Sequence, residues 1–440
     1  MNIKYENAAG TFYPETKDEL NSFLNTLLEN NKPDSGFKTR AIIAPHAGYI
    51  FSGGLAAKCY QYLDTAVKNV FIFAPSHYAR IFGCVSSDYD EFQTPLGNLE
   101  VNKEFLKELA IDINNQAFER EHSIEVHLPF IKKLLPEVKI IPILYGCEDY
   151  LNITKIIEKY WGNKENAFVI SSDLSHFYPA REAVKIDTYT SNLIENNETR
   201  NFEAEMACGA VGICGIVNFA KERGFSLIRA GLTNSSASTG DTSRVVGYGG
   251  WFLHEGIRGE YIKEYLGGFV KELCRKSIES GLQLGNSLPE KYPEVLCENG
   301  ASFVTLEIQG QLRGCIGSII AHRTLFTDLV KNAHAAAFSD PRFMPLTIDE
   351  FKHTDISVSL LSKPEKIDFK DENDLLDKMV PLKDGIIIRD GSYQAVYLPE
   401  VWEQLPDKKL FLASLKQKAG LSKNHFSETF EAFRFYTTKI

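Results

Sequence analysis

The sequence predicts two domains, the first of which is an α/β domain with a mainly parallel central sheet. Its 440 residues exceed the roughly 250–300 residues at which single hydrophobic cores stop growing. In the first half, short β-rich apolar runs alternate with stretches of helical periodicity, an order typical of parallel sheets covered by helices. Three of these apolar runs end in a loop that contains histidine.

The elements of the first domain follow from this periodicity. Apolar residues recur at helical spacing in Lys17–Leu28, Gly54–Leu63 and Lys103–Leu109. Strands are predicted at Ala41–Ala44, at Val70–Ala74, at Ile140–Tyr145 before Gly146 and Cys147, and at Phe168–Ser171. A last strand, Ser243–Phe252, contains glycines that indicate tight backbone approach.

The second domain follows a short polar connection, His254–Gly259. Helical spacing resumes from Tyr261 to Leu282. We therefore divide the chain into residues 1–256 and residues 257–440.

Composition excludes several classes of partner. The formal net charge of −10, without any block of Lys or Arg, argues against nucleic acid. No apolar run approaches the roughly 20 residues that a bilayer demands, so we expect no membrane association. The eight cysteines form no C-x-x-C motif and no disulfide framework, and the first residues do not resemble a secretion signal. We expect a cytoplasmic protein that acts on a small molecule or a peptide.

The histidines at strand ends are the main candidates for chemistry. His46 follows the first predicted strand, His77 the second, and His176 follows Phe168–Ser171 together with Asp173. Ligand crevices of parallel sheets lie beyond the carboxyl ends of the strands, so these rings are expected to meet there. Each histidine alone could be a satisfied turn residue, but three at equivalent positions favour a shared site.

The segment from Glu121 to Pro129 adds His122, Glu125 and His127. If it is helical, His122 and Glu125 share one face. Its two histidines are five residues apart and do not match the H-E-x-x-H zinc motif. A capping or supporting role is therefore as good an interpretation as metal ligation.

Other catalytic motifs are absent from the sequence. There is no G-x-S-x-G, no G-x-x-x-x-G-K-[ST] and no G-x-G-x-x-G after a strand, so hydrolase, nucleotide and dinucleotide functions lack support. Cys208 lies between Ala207 and Gly209, and its spacing alone favours a buried, inert cysteine.

The strings AIIAPHAGYIFSGG, FAPSHYAR, EHSIEVHLPF, SSDLSHF and CGAVGI resemble the Memo family in order and spacing, over essentially all of residues 1–256. That family is similar to the class III extradiol dioxygenases, non-haem iron enzymes that cleave aromatic rings, and the resemblance implies their fold. It also implies that His46, His77 and Cys208 are metal ligands and that His176 and Asp173 line the pocket.

This implied ligand set differs from that of the dioxygenases, which hold Fe(II) with two histidines and a carboxylate. Here a thiolate takes the place of the carboxylate. We expect a divalent metal, iron first, with zinc and copper as alternatives because thiolate suits both. His176 is the candidate general base and Asp173 its neighbour or orienter.

The strings LRGCIGS, AFSDPRF, DGIII and KAGL in the second domain resemble the AMMECR family. We expect an α+β fold with a small antiparallel sheet. Cys315 is either a reactive thiol or, as we favour, an inert one. Arg313, Asp340 and Arg342 either bind an anion or form an ion-pair network. Together the two resemblances imply the A and B components of an AmmeMemoRadiSam system, whose third component, a radical S-adenosylmethionine enzyme, would be the partner.

Two functions are consistent with these observations. The first is a metal-dependent, dioxygenase-like oxidoreductase that acts with the radical enzyme. The second is a non-catalytic metal-binding or adaptor protein that holds a peptide or a small aromatic ligand in the cleft. Catalysis requires an open metal position, whereas a binding protein could lose His176 and still work.

Overall fold

A computed structural model describes residues 2–146 and 149–440, so Cys147 lies outside the described residues. The chain divides into two compact units, Met1–Ile257 and Arg258–Ile440. Among the described residues, every helix is too short or too polar to cross a membrane.

Unit 1 is built on a large mixed sheet with helices. Its strands are β1 (Ile3–Lys4), β2 (Ala41–Ala44), β3 (Asn69–Pro75), β4 (Cys84–Ser86), β5 (Glu91–Phe92), β6 (Leu99–Glu100), β7 (Asp112–Ile113), β8 (Lys139–Tyr145), β9 (Asn166–Ser171), β10 (His176–Tyr178), β11 (Ser226–Asn234) and β12 (Val245–His254). Its helices are α1 (Lys17–Asn30), α2 (Tyr49–Tyr62), α3 (Lys103–Leu109), α4 (Asn115–Glu119), α5 (Leu128–Leu134), α6 (Tyr150–Trp161), α7 (Ala180–Glu195), α8 (Ala210–Arg223) and α9 (Ser236–Thr239).

The centre of the main sheet is parallel, as the sequence predicts. The strand order is β10-β12-β2-β9-β3-β8-β4-β7, with β11 paired to β12. β2, β9, β3 and β8 run parallel to one another. All residues of β2, β3 and β9 are buried, because helices cover both faces of such a sheet. The strands on either side of this centre are antiparallel to it, since β12 runs against β2 and β4 against β8.

The three strands that deliver histidines are direct neighbours in the order β2-β9-β3. Their carboxyl ends therefore open at one edge of the sheet, and the loops after them meet there. The helix predicted at Gly54–Leu63 begins earlier, at Tyr49, because Tyr49 and Ser52 already belong to its buried face.

Unit 2 is α+β and contains two four-stranded antiparallel sheets, where the sequence suggested one small sheet. The first has the order β14-β13-β15-β20 and the second β16-β19-β17-β18. The strands are β13 (Ala301–Ile308), β14 (Gln311–Gly317), β15 (Thr354–Leu361), β16 (Glu365–Lys366), β17 (Gly385–Asp390), β18 (Tyr393–Tyr397), β19 (Glu431–Phe435) and β20 (Thr437–Lys439). The helices are α10 (Arg258–Gly281), α11 (Leu325–Phe338), α12 (Ile348–Phe351), α13 (Glu372–Lys378) and α14 (Lys408–Lys418).

A buried carboxylate joins α11 to the first sheet of unit 2. Asp328 has no solvent exposure. One oxygen accepts hydrogen bonds from the backbone N–H and the hydroxyl of Ser302, at 2.8 and 2.7 Å. The other accepts from Ser318 Oγ at 2.7 Å and from Arg323 Nε at 2.8 Å. The carboxylate thus satisfies a buried amide, two hydroxyls and a guanidinium at once.

We predict that Asp328→Ala destabilises the protein by about 3–5 kcal/mol, because it leaves the guanidinium and the buried donors unpaired. Asp349→Ala is the control, since the Asp349 side chain is 92% exposed and pairs with Lys352 at 2.8 Å, and it should cost less than about 1 kcal/mol. Urea unfolding of the full chain, followed by circular dichroism, measures both values. Equal stabilities would contradict the role given to Asp328.

Candidate metal centre

Two histidines lie side by side at the carboxyl edge of the parallel strands. His46 is two residues past β2 and His77 two residues past β3. Their ring centroids are 5.2 Å apart. His46 is buried, whereas the side chain of His77 is 28% exposed and so faces the opening.

The orientation of the His46 ring is set by Ser171, the last residue of β9. Ser171 Oγ donates a hydrogen bond to the carbonyl of Ser123 at 2.7 Å, so it accepts from His46 Nδ1 at 2.6 Å. The proton therefore sits on Nδ1, and Nε2 keeps its lone pair. Burial lowers the pKa of His46 well below its usual value, which keeps the ring neutral.

Glu121 fixes the His77 ring in the same way. Its carboxylate is 3.0 Å from His77 Nδ1 and accepts the backbone N–H of His77 at 2.6 Å. Burial alone would raise the pKa of Glu121, but the hydrogen bonds and charge of His77 outweigh it and lower the pKa to about 2. The resulting carboxylate–histidine pair leaves Nε2 of His77 free, as in metal sites where a carboxylate orients a histidine ligand.

His122 completes a group of three histidines. One ring nitrogen of each of His46, His77 and His122 lies within 4.8 Å of those of the other two. The ring of His122 stacks between Phe12, at 4.5 Å, and His77, at 4.9 Å. Burial lowers the pKa of His122 to about 4, so it too is neutral near pH 7. Three imidazoles with converging nitrogens can bind a divalent cation.

Cys208 lies against the same histidines. Its Sγ is 3.4 Å from His46 Nε2 and accepts the backbone N–H of Asp173 at 3.3 Å. Burial, with a smaller contribution from Asp173, raises the pKa of the Cys208 thiol. The next residue must be glycine, because a Cβ on Gly209 would lie 2.5 Å from the carbonyl oxygen of Ser171.

The loop after β9 contributes Asp173 and His176. Asp173 Oδ1 accepts the backbone N–H of His46 at 2.9 Å, and burial raises its pKa to about 7. His176 begins β10, and its charge is one of the smaller causes that lower the pKa of His46. Burial lowers the pKa of His176 itself, so the imidazole can accept a proton near neutral pH.

The sequence profile of the Memo-like protein family matches residues 4–252, more than half of the chain. The chain belongs to the Memo family. Residues 271–440 match the AMMECR1 family, so the protein is a fusion of the two. We refer to unit 1 as the Memo unit.

Several relatives carry the same family name. A MEMO1 family protein of Aquifex aeolicus is 35% identical over 266 residues, which cover 56% of this chain and 98% of that protein. Protein MEMO1 of Mus musculus is 34% identical over 186 residues, which cover 38% of this chain and 61% of the mouse protein. The crystal structure of the uncharacterized protein PH0010 from Pyrococcus horikoshii is 32% identical, covers 39% of this chain and 88% of its own, and has a TM-score of 0.36.

Glu125 and His127 differ in position from the other candidates of the Memo unit. The expected helix is only a single 3₁₀ turn, Glu125–His127, so His122 precedes it and shares no helical face with Glu125. Glu125 Oε1 accepts hydrogen bonds from the N–H of Ala8 and the hydroxyl of Tyr13, both at 2.7 Å. It therefore holds the N-terminal segment and does not itself line the pocket.

His127 is completely buried, and its ring nitrogens have no hydrogen-bond partner among the described residues. Burial lowers its pKa to about 3, so it is a neutral core residue.

Three residues of the Memo unit that position the pocket were not singled out from the sequence: Phe12, Glu121 and Ser171. Ser171 is the last residue of a predicted strand, and Glu121 directly precedes a candidate histidine. Closeness in sequence to a predicted site element could therefore have identified both. Phe12 lies outside any periodic element, so the sequence carried no signal for it. The backbone N–H of Tyr49, at the start of α2, donates to the carbonyl of Phe12 at 2.8 Å and fixes the segment of Phe12 beside the pocket.

In unit 2 the predicted residues form ion pairs around Cys315. The carboxylate of Asp340 accepts the N–H of Cys315 at 2.8 Å and binds the guanidinium of Arg342 at 2.7 and 2.9 Å. Arg342 holds the pKa of Asp340 well below its usual value. Arg313 pairs with Glu350 at 2.9 Å. This geometry corresponds to the ion-pair network, the structural alternative for these residues.

We predict that Glu121→Gln weakens zinc binding by about 10- to 100-fold, because the ring of His77 loses its charged hydrogen-bond partner. Glu119→Gln is the matched control, since Glu119 is exposed two residues earlier. Competition with a chromophoric chelator measures both affinities. Equal affinities in the two variants would show that Glu121 does not orient a metal ligand.

Proposed function

We propose that the Memo unit is a metal-dependent oxidoreductase of the dioxygenase-like type. The observation that supports it is the pair His46 and His77, each with Nδ1 engaged by a fixed acceptor, beside a third histidine within 4.8 Å. Side chains fixed in this way are prepared to bind a cation without rearrangement.

For the ligands we propose His46, His77 and Cys208. A tetrahedral ion bound at about 2.0 Å from nitrogen and about 2.3 Å from sulfur separates the two ligand atoms by roughly 3.5 Å. The distance from His46 Nε2 to Cys208 Sγ is 3.4 Å, which fits one shared ion. His122 then forms the wall of the pocket or a fourth ligand. Iron is the metal we propose first, with zinc and copper as alternatives.

The bound metal would supply Lewis-acid activation and, with iron, oxygen chemistry. His176 acts as the general base, because burial keeps its imidazole neutral at pH 7. Asp173, whose pKa is about 7, holds the His46 loop through the backbone and retains a proton in part of the molecules near neutral pH. The ring of Phe12, stacked on His122, adds an apolar surface for a small molecule or a peptide side chain.

We also propose that the protein works with a radical S-adenosylmethionine enzyme. The fusion of the two families in one polypeptide supports this, because it keeps two units of one system at a fixed ratio. Copurification with such an enzyme from the native host tests it.

The ligand set leads to the next prediction. X-ray absorption of the metal-loaded protein should show one sulfur neighbour, near ~2.3 Å if the metal is zinc. Cys208→Ser should remove that sulfur and weaken binding, whereas His122→Ala should keep it. A shell of nitrogen and oxygen alone would instead support the three histidines.

The reaction type leads to a further prediction. In the iron(II)-loaded protein, consumption of dissolved oxygen with catechols should fall about 10²- to 10⁴-fold on His176→Gln, while iron affinity stays unchanged. An oxygen electrode and iron titration measure the two quantities. If the native protein binds catechols but consumes no oxygen, the pocket is a binding site without catalysis.

A further inference from the structure

A buried carboxylate of the Memo unit lies next to the loop of Asp173 and His176, outside the group of candidate ligands. Asp187, on α7, is 2% exposed. Its Oδ1 accepts the backbone N–H of Ser175 at 3.0 Å. Burial raises the pKa of Asp187 to about 6, in spite of this hydrogen bond.

Asp187 has no Lys or Arg partner among the described residues. Another buried carboxylate of the same helix, Glu195, is different, because Arg229 neutralises it at 2.7 Å. A buried carboxylate without a cation is costly. The hydrogen bond to the backbone N–H of Ser175 explains why a carboxylate occupies this buried position.

The strand beside Asp187 leaves room for its carboxylate. A Cβ on Gly247 would lie 1.9 Å from Asp187 Oδ2, so only glycine fits at that position of β12. Gly247 also exchanges backbone hydrogen bonds with the loop: its N–H donates to the carbonyl of Ser175, and its carbonyl accepts from Leu174, both at 2.8 Å. Asp187 and Gly247 together fasten the residues directly before His176.

The residue directly after His176 is strained. Phe177 has a φ of +67°, a conformation that bulky residues rarely adopt, and it interrupts the register of β10 with β12. Its ring is 60% exposed and lies 4.5 Å from the guanidinium of Arg244. Such strain persists only where neighbouring contacts hold the backbone.

We propose that Asp187 is a positioning residue that holds the loop Ser172–Tyr178, against the strain at Phe177, in the conformation that brings Asp173 and His176 to the metal pocket. This role rests on the proposed function, in which His176 is the general base of the pocket. The position of the loop can be measured without turnover of a substrate.

The test uses the full chain, labelled with ¹³C-histidine and ¹⁵N-serine, in metal-free and zinc-loaded forms. Asp187→Ala should accelerate hydrogen exchange of the Ser175 amide at least tenfold. It should also move the pKa of His176 upward toward the ordinary value of about 6.5, because the ring leaves its buried place. Asp187→Asn, which keeps an acceptor oxygen, should stay within about threefold of the native exchange rate. Glu182→Ala, an exposed carboxylate on the same helix, is the matched control and should change neither quantity.

Two further variants separate positioning from a general loss of structure. Gly247→Ala should reproduce the effect of Asp187→Ala, because the new methyl group displaces the carboxylate while its charge remains. Adding Phe177→Gly to Asp187→Ala should restore the His176 titration, since glycine adopts a positive φ without strain.

Native exchange and native His176 titration in both Asp187→Ala and Gly247→Ala would overturn the proposal. The proposal would also be overturned if His176 titrated in the double variant as it does in Asp187→Ala, because the strain at Phe177 would then play no part. If the native protein binds no zinc or shows no oxygen consumption, the proposed function fails while the metal-free titration still decides the role of Asp187.

Discussion

The hydrogen bond between His46 Nδ1 and Ser171 Oγ, 2.6 Å long, is the contact on which the pocket depends. It joins the carboxyl ends of two adjacent parallel strands, and the Ser171 hydroxyl continues to the carbonyl of Ser123. It thereby decides which nitrogen of His46 faces the pocket. The distance from Nε2 to Cys208 Sγ follows from that choice, because a ring turned by half a revolution would place the carbon Cε1 where Nε2 now lies.

The neighbouring segments accept this arrangement because two glycines let them approach. Gly209 brings the segment of Cys208 against the end of β9, where any side chain would strike Ser171 or Ser172. Gly247 leaves room for the carboxylate of Asp187. Both positions lie at the edge of the pocket, so close packing there determines where the chemical groups stand.

Much of this arrangement could be predicted from the sequence, because buried parallel strands have a strong signal. The apolar runs of β2, β3 and β9 are unambiguous, and the residues after them must share one edge of the sheet. The roles of Glu125 and Ser171 could not be predicted, since both depend on contacts between segments far apart in the chain. The antiparallel direction of β12 was equally hidden, because periodicity does not report which way a strand runs.

Besides Asp173, which accepts the N–H of His46, three buried carboxylates around the pocket act on the backbone. Glu121 accepts N–H groups of His77 and Ser123, Glu125 those of Asn7 and Ala8, and Asp187 that of Ser175. Each binds a segment that carries a pocket side chain: His77, Phe12 or His176. A carboxylate engaged in this way would have to abandon buried amides in order to bind a metal, and each abandoned amide would cost about 1–3 kcal/mol. This cost argues against Glu121, Glu125 and Asp187 as metal ligands and leaves them the role of holding the backbone around the pocket.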